Sequence, residues 1–131
     1  MASELRVNTL KDASGNNSVA MTYVANGSAK AWVNFTGVSS TSSRDSFNIT
    51  SLTDSGTGHT TIALTSSMAN ANYTGSWFTN SDASSGITNL SNNYAGNFAV
   101  RATGSYQTQC WATNGGADAF HNDSTVFGDL A

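Results

Sequence analysis

Residues 44–65 read RDSFNITSLTDSGTGHTTIALT. Apolar residues and threonines flank a knot of turn formers. Phe47 and Ile49 alternate, Leu52 falls out of register, and DSGTG supplies the turn. The run after it places Thr60, Ile62 and Leu64 on one face, and its threonines suit a half-solvated strand. The stretch reads as a β-hairpin. Asp54 reads as a turn former and His59 as the first residue of an exposed strand.

The same pattern continues outward. ELRVNTL puts Leu5, Val7 and Thr9 on one face, KDASGNN is a turn, and SVAMTYV aligns Val19, Met21 and Tyr23. Asn26-Gly27 is a strong turn dipeptide. KAWVNF alternates Ala31, Val33 and Phe35 against Lys30, Trp32 and Asn34, with large apolar groups on both faces. Further strands are read at ANYTGSWFT, FAVRATGSY, TQCWAT and STVFGDL. The polar stretch from Thr79 to Asn97 reads as a long loop with one short strand around 87–90, anchored by Ile87 and Leu90. No window shows a capped 3.6-residue apolar period, so eight or nine short strands separated by turns predict an all-β fold.

Composition narrows the rest. The chain has 131 residues, a net charge of -3 and only 10% charged residues, which predicts one domain. Its five basic residues are never adjacent, which argues against nucleic acid as a partner. Ser, Thr and Asn make up 52 residues, while Leu, Ile, Val and Phe together make up 22. Three Trp, four Tyr and six Phe favour a folded state. The core of a lone chain would still be thin, and a thin core calls for a disulfide, a metal or a partner subunit. Cys110 is the only cysteine, and His59 and His121 are the only histidines, neither with a second His or Cys at metal-ligand spacing, and the pair His121 and Asp123 reads as solvated loop residues. Oligomerisation remains by elimination, with no cofactor expected.

The chain opens without an apolar run, and no segment approaches the about 18 apolar residues of a membrane span. Synthesis in a cytoplasm without membrane insertion is expected. Seven Asn-x-Ser/Thr sequons, beginning at Asn16, Asn26, Asn34, Asn48, Asn72, Asn89 and Asn122, follow from the composition. Proline is absent, although edge strands often use it to block further pairing.

A search for catalytic constellations finds no Gly-x-Ser-x-Gly elbow and no phosphate loop, and the eight acidic residues are dispersed, most of them in predicted turns. Cys110, between Gln109 and Trp111 in a strand, reads as a small core residue. Trp32, Trp77 and Trp111 raise the question of a sugar-stacking platform, but each lies in a predicted strand, where core packing is the default. A non-enzymatic role is expected.

Residues 31–37, AWVNFTG, and 44–74, RDSFNITSLTDSGTGHTTIALTSSMANANYT, resemble a module of tailed-phage virion proteins, familiar from tail fibres and appendages of marine phages. The resemblance rests on Trp32, Val33, Phe35, Gly37, Ser46, Asn48, Ile49, Leu52, Thr53, Gly56, Gly58, Ile62, Leu64, Met68, Asn72 and Tyr73 in this order. SELRVNTLKDASGNNSVAM is similar to the segment that often precedes the module. The family pattern often has Pro after the Met, where Ala69 stands here.

The resemblance implies a homotrimeric, non-enzymatic structural protein of the virion surface, in a tail fibre or appendage or as capsid decoration, with other virion proteins as partners. The fold expected is a jelly-roll-like β-sandwich over 31–131. An extended attachment segment over 1–30 would use Leu5, Val7 and Leu10 in assembly. Trp32, Phe35, Phe47, Ile49, Ile62, Leu64 and Tyr73 are the expected module core. Long polar loops would carry any contact with a host-surface glycan. The alternative is a lectin-like carbohydrate-binding β-sandwich.

Overall fold

Residues 3–80, 95–112 and 115–131 are described by a computed structural model. The main strands are β3 (Ala31–Thr36), β4 (Ser42–Phe47), β5 (Ile49–Gly56), β6 (His59–Leu64), β7 (Thr74–Asn80), β8 (Ala95–Arg101), β9 (Ser105–Ala112) and β11 (His121–Phe127), with inward and outward residues alternating clearly along β3, β6 and β11. A two-residue strand, β10 (Gly115–Gly116), adds to β9. Ahead of these lie a small hairpin, β1 (Thr9–Lys11) with β2 (Ser18–Ala20), and one short helix, α1 (Met21–Gly27). The protein is thus mainly β, as its alternation predicts.

Two antiparallel sheets carry the structure. One has the order β4-β3-β11-β7; the other runs β10-β9-β6-β5, with β8 also paired to β9. Their inner faces meet in one cluster. It comprises Ala31, Val33 and Phe35 of β3, Val126 of β11, Ile62 and Leu64 of β6 and Tyr106 of β9, with Met68 and Tyr73. Three consecutive strand pairs, β3–β4, β5–β6 and β8–β9, are hairpins within a sheet. The remaining steps, β4 to β5, β6 to β7, β7 to β8 and β10 to β11, carry the chain from one sheet to the other.

The chain compensates for few aliphatics by burying paired polar groups. The Tyr106 hydroxyl and Ser124 Oγ share a hydrogen bond of 2.8 Å across the core. Thr108 Oγ1 donates to Thr60 O at 3.3 Å, and Asn122 Nδ2 donates to Ala119 O at 2.9 Å. The Tyr73 hydroxyl reaches the carbonyls of Ala102 and Ser105 at 3.1 and 3.0 Å, fastening the β8–β9 turn. A buried polar group is tolerated when it is paired and costs about 1–3 kcal/mol when it is not. Trp77 Nε1 is the one such buried side-chain atom without a partner among the described residues.

The step between sheets is a single residue. β4 ends at Phe47 in one sheet and β5 begins at Ile49 in the other, so Asn48 alone turns the chain, at φ 59°. Asn tolerates this left-handed conformation because its side chain bonds locally. Asn48 Nδ2 donates to Lys30 O (2.9 Å) and Ser66 O (3.1 Å), while Oδ1 accepts from Ser66 N (2.7 Å). A register shift between Ile49 and Ser51 then returns Leu52 to the core side, which explains its misfit in the sequence alternation. At the hairpin tip Gly58 has φ +76°, and a Cβ there would lie 2.3 Å from Cys110 O, so only glycine fits.

Several expectations are corrected. Residues 1–30 are not simply extended: the strand read in SVAMTYV is present over Ser18–Ala20, but α1 takes over from Met21, and Tyr23 is exposed on it. An alternation of three residues is too short to separate strand from helix. Phe47, expected in the core, is 53% exposed, because β4 turns it to the outer face beside Trp32. Trp32 likewise lies outward, at 36% exposure. β6 is an interior strand between β5 and β9, so Thr60 is buried where a half-solvated strand was expected. Of the expected loop 79–97, Thr79 and Asn80 belong to β7 and residues 95–97 to β8; the strand read around 87–90 lies outside the described residues.

Asn48→Ala removes three side-chain hydrogen bonds and leaves a Cβ-bearing residue in the left-handed region without local support. It should destabilise the protein by about 3 kcal/mol in urea unfolding, and Asn48→Gly by about 1 kcal/mol less. Burial pushes the Tyr106 hydroxyl up to about 12, from an ordinary value of 10.0. The folded state therefore holds this proton where the unfolded chain has lost it. Stability should be level below about pH 10 and fall by roughly 3 kcal/mol between about pH 10 and 12. Tyr106→Phe should flatten most of that fall in denaturant titrations across this range.

Candidate functional site

The outer face of the β4-β3-β11-β7 sheet gathers exposed aromatics and polar side chains. Strand register fixes its layout, since directly opposed residues share a face. Phe47, Trp32, Thr125 and Ser76 form one row across the four strands. Asp45, Asn34, Asp123 and Phe78 form the next. Phe78 is 72% exposed.

The second row is tied together. Asn34 Nδ2 donates to Asp123 Oδ1. Between Asn34 and Phe35 the β3–β4 register shifts, leaving Arg44 as the extra residue of a bulge. Bulges re-aim side chains. Here Arg44 Nη1 reaches Asn34 Oδ1 at 3.3 Å, and Nη2 donates to Phe120 O at 2.6 Å. The guanidinium also lies over the Phe120 ring at 4.9 Å from its centroid. Through its bond to Asn34 it braces the Asn34–Asp123 pair from one side.

The three tryptophans do not meet. Trp32 lies on this outer face. Trp77, opposite the buried Ser124, points to the inner side of the same sheet, and Trp111 lies on the outer side of the other sheet. Trp111 is edge-on to His59 at 6.2 Å, and His59 bonds to Gln109 at 2.9 Å. That second face has aromatic and amide groups but no carboxylate in its described bonding.

Other candidates hold little chemistry. Cys110 is buried, its thiol is pushed up by desolvation, and its hydroxyl neighbour is Thr79 at 3.5 Å. A raised thiol is a poor nucleophile. Among the described residues no three His, Cys, Asp or Glu side chains group as metal ligands. Asp118 caps the hairpin tip by accepting from Gly58 N at 2.7 Å, and Asp54 accepts from Gly56 N at 2.9 Å. A small groove beside Tyr73 is lined by Asn70, Asn72, Gly128 and Asp129. Its one carboxylate, Asp129, has no second acid, base or nucleophile beside it in that lining.

Of the residues named from sequence, Phe35, Ile62, Leu64 and Tyr73 lie in the core and Ile49 packs against it. Trp32 and Phe47 instead form the outer aromatic pair. Leu5, Val7 and Leu10 are exposed, at 80%, 36% and 41%, in a segment where residues 3–28 bury no side chain. Sequence reasoning missed Asn34, Arg44, Phe78 and Asp123 as a group. Alternation in KAWVNF does put Asn34 beside Trp32. The partnership of Asn34 with Asp123, 89 residues away, has no local signal.

Compared with known proteins, the chain matches no family model, no curated protein and no solved structure.

Proposed function

We propose that this is a non-enzymatic structural protein of the surface of a tailed-phage particle, a tail-fibre or appendage component or a capsid decoration, assembled as a homotrimer. The observation that carries the reading is the contrast between the two parts of the chain. Residues 31–131 enclose a core, whereas Leu5, Val7, Leu10, Val19 and Tyr23 stand exposed along the preceding segment. Isolated exposed apolar residues are ordinary, but a run of them on a segment with no buried side chain suits association. The two-layer β-sandwich would face outward, and the segment would meet neighbouring chains or other virion proteins.

The virion assignment itself is supported by the ordered resemblance of residues 3–74 to the phage module. Tyr73, Met68 and Gly128 lend it physical sense. A Cβ on Gly128 would lie 2.8 Å from Tyr73 Cβ and 2.9 Å from Met68 Cε, so the Met…Asn-Tyr motif closes one end of the core.

Light scattering of the purified chain should give a threefold mass, and an unboiled SDS gel should retain a slow band that boiling removes. Leu5→Asp with Leu10→Asp should lower the mass toward the monomer without unfolding the β-domain. A wild-type monomer at every concentration would contradict the reading. Immunogold labelling of particles then distinguishes tail from capsid.

A further inference from the structure

We propose that the outer face of the β4-β3-β11-β7 sheet is a carbohydrate-binding face that takes a neutral oligosaccharide across Trp32 and Phe47. This goes beyond the virion reading and does not depend on it. Trp32 and Phe47 are direct cross-strand neighbours on two adjacent strands, both open to solvent. Two adjoining exposed rings offer flat apolar area that the fold leaves uncovered. One step along the strands the surface changes character to the bonded Asn34–Asp123 pair, braced by Arg44.

That combination fits a pyranose. One side of such a ring presents C–H groups that pack on an aromatic face, and its edge presents hydroxyls that both donate and accept. A carboxylate accepts about four hydrogen bonds, and Asn34 fills one of those on Asp123. Arg44 supplies donors beside it. The bulge and the Phe120 contacts hold Arg44 in place before any ligand arrives, which reduces the ordering needed on binding.

Charge selects the class of sugar. Asp45 and Asp123 flank Asn34 on its two neighbouring strands, against one Arg44. The acidic excess disfavours phosphate, nucleic acid and acidic glycans. An apolar protein surface laid on the face would strand the polar row, at a cost a polyhydroxylated ligand avoids. Size selects chain length. From Trp32 to Phe78 is two strand spacings and one two-residue step, roughly 12 Å, which exceeds a single sugar ring.

The test is a printed array of neutral and acidic oligosaccharides probed with the full labelled chain, followed by NMR titration with the best neutral binder. Wild type should bind neutral glycans, and the Trp32 indole N–H resonance should shift while those of Trp77 and Trp111 stay. Trp32→Ala and Phe47→Ala should each weaken binding at least about tenfold, with thermal melts showing the fold retained, and Trp111→Ala should leave binding unchanged. Absence of neutral-glycan binding, a preference for acidic glycans, or shifts confined to Trp111 would overturn the assignment. So would self-association lost in Trp32→Ala without any glycan binding, which would make the face a contact between copies. The wild-type titration keeps the test decisive if a variant fails to fold. The trimer mass is measured separately, so the two readings fail independently.

Discussion

Between Phe47 and Ile49 there is room for one residue, and it must turn the chain from one sheet into the other. Asn48 does this in a left-handed conformation, and its amide replaces the backbone partners that the turn removes. Its bonds reach Lys30, just before β3, and Ser66, just after β6. Four strand ends therefore meet at one residue: its backbone joins the end of β4 to the start of β5, and its side chain ties them to the start of β3 and the end of β6. With these ends fixed, alternation carries Val33 and Phe35 inward from one sheet and Ile62 and Leu64 inward from the other. The same alternation necessarily carries Trp32 and Phe47 outward. The core and the aromatic face are two consequences of one crossing.

The interior shows how a chain poor in aliphatics folds. Large side chains are few, and the gaps between them hold Thr60, Thr108, Asn122 and Ser124, the last three with bonded side chains and Thr60 accepting through its carbonyl. Burying a CH₂ contributes about 0.8 kcal/mol. A satisfied hydrogen bond contributes about 1 kcal/mol, with a larger penalty if it is broken. Such a core is specific more than it is strong. Close glycine contacts at Gly58 and Gly128 make it compact, since neither position has space for a methyl group. The limited apolar volume is also what makes an uncovered segment such as 3–28 a natural place for further burial.

The β character, the DSGTG hairpin and the inward sets of β3 and β6 were legible because period-two alternation is a local property. Leu52 looked anomalous for a local reason too, a bulge that only the pairing reveals. What was not legible depends on partners distant in sequence. Phe47 alternates correctly with Ile49, yet the two residues belong to different sheets, so the shared face inferred from their spacing does not exist. Trp32 was ambiguous because β3 has large apolar groups on both sides, and only the position of β11 decides which is covered. The Arg44–Asn34–Asp123 group joins three strands and needs a bulge, and neither shows in composition or spacing. The helix at Met21–Gly27 lacks a side-chain cap and buries nothing, so it left no signature either.

Residues 31–131 are proposed to form a folding unit of their own, and the segment before them is proposed to gain order from a partner. Hydrogen exchange of the whole protein across a concentration series tests this most directly. Amides of β3, β6, β9 and β11 should be protected at every concentration. Amides of residues 3–28 should exchange quickly when dilute and become protected as the protein is concentrated. Rapid exchange of residues 3–28 at all concentrations would contradict the account, as would protection there that never depends on concentration.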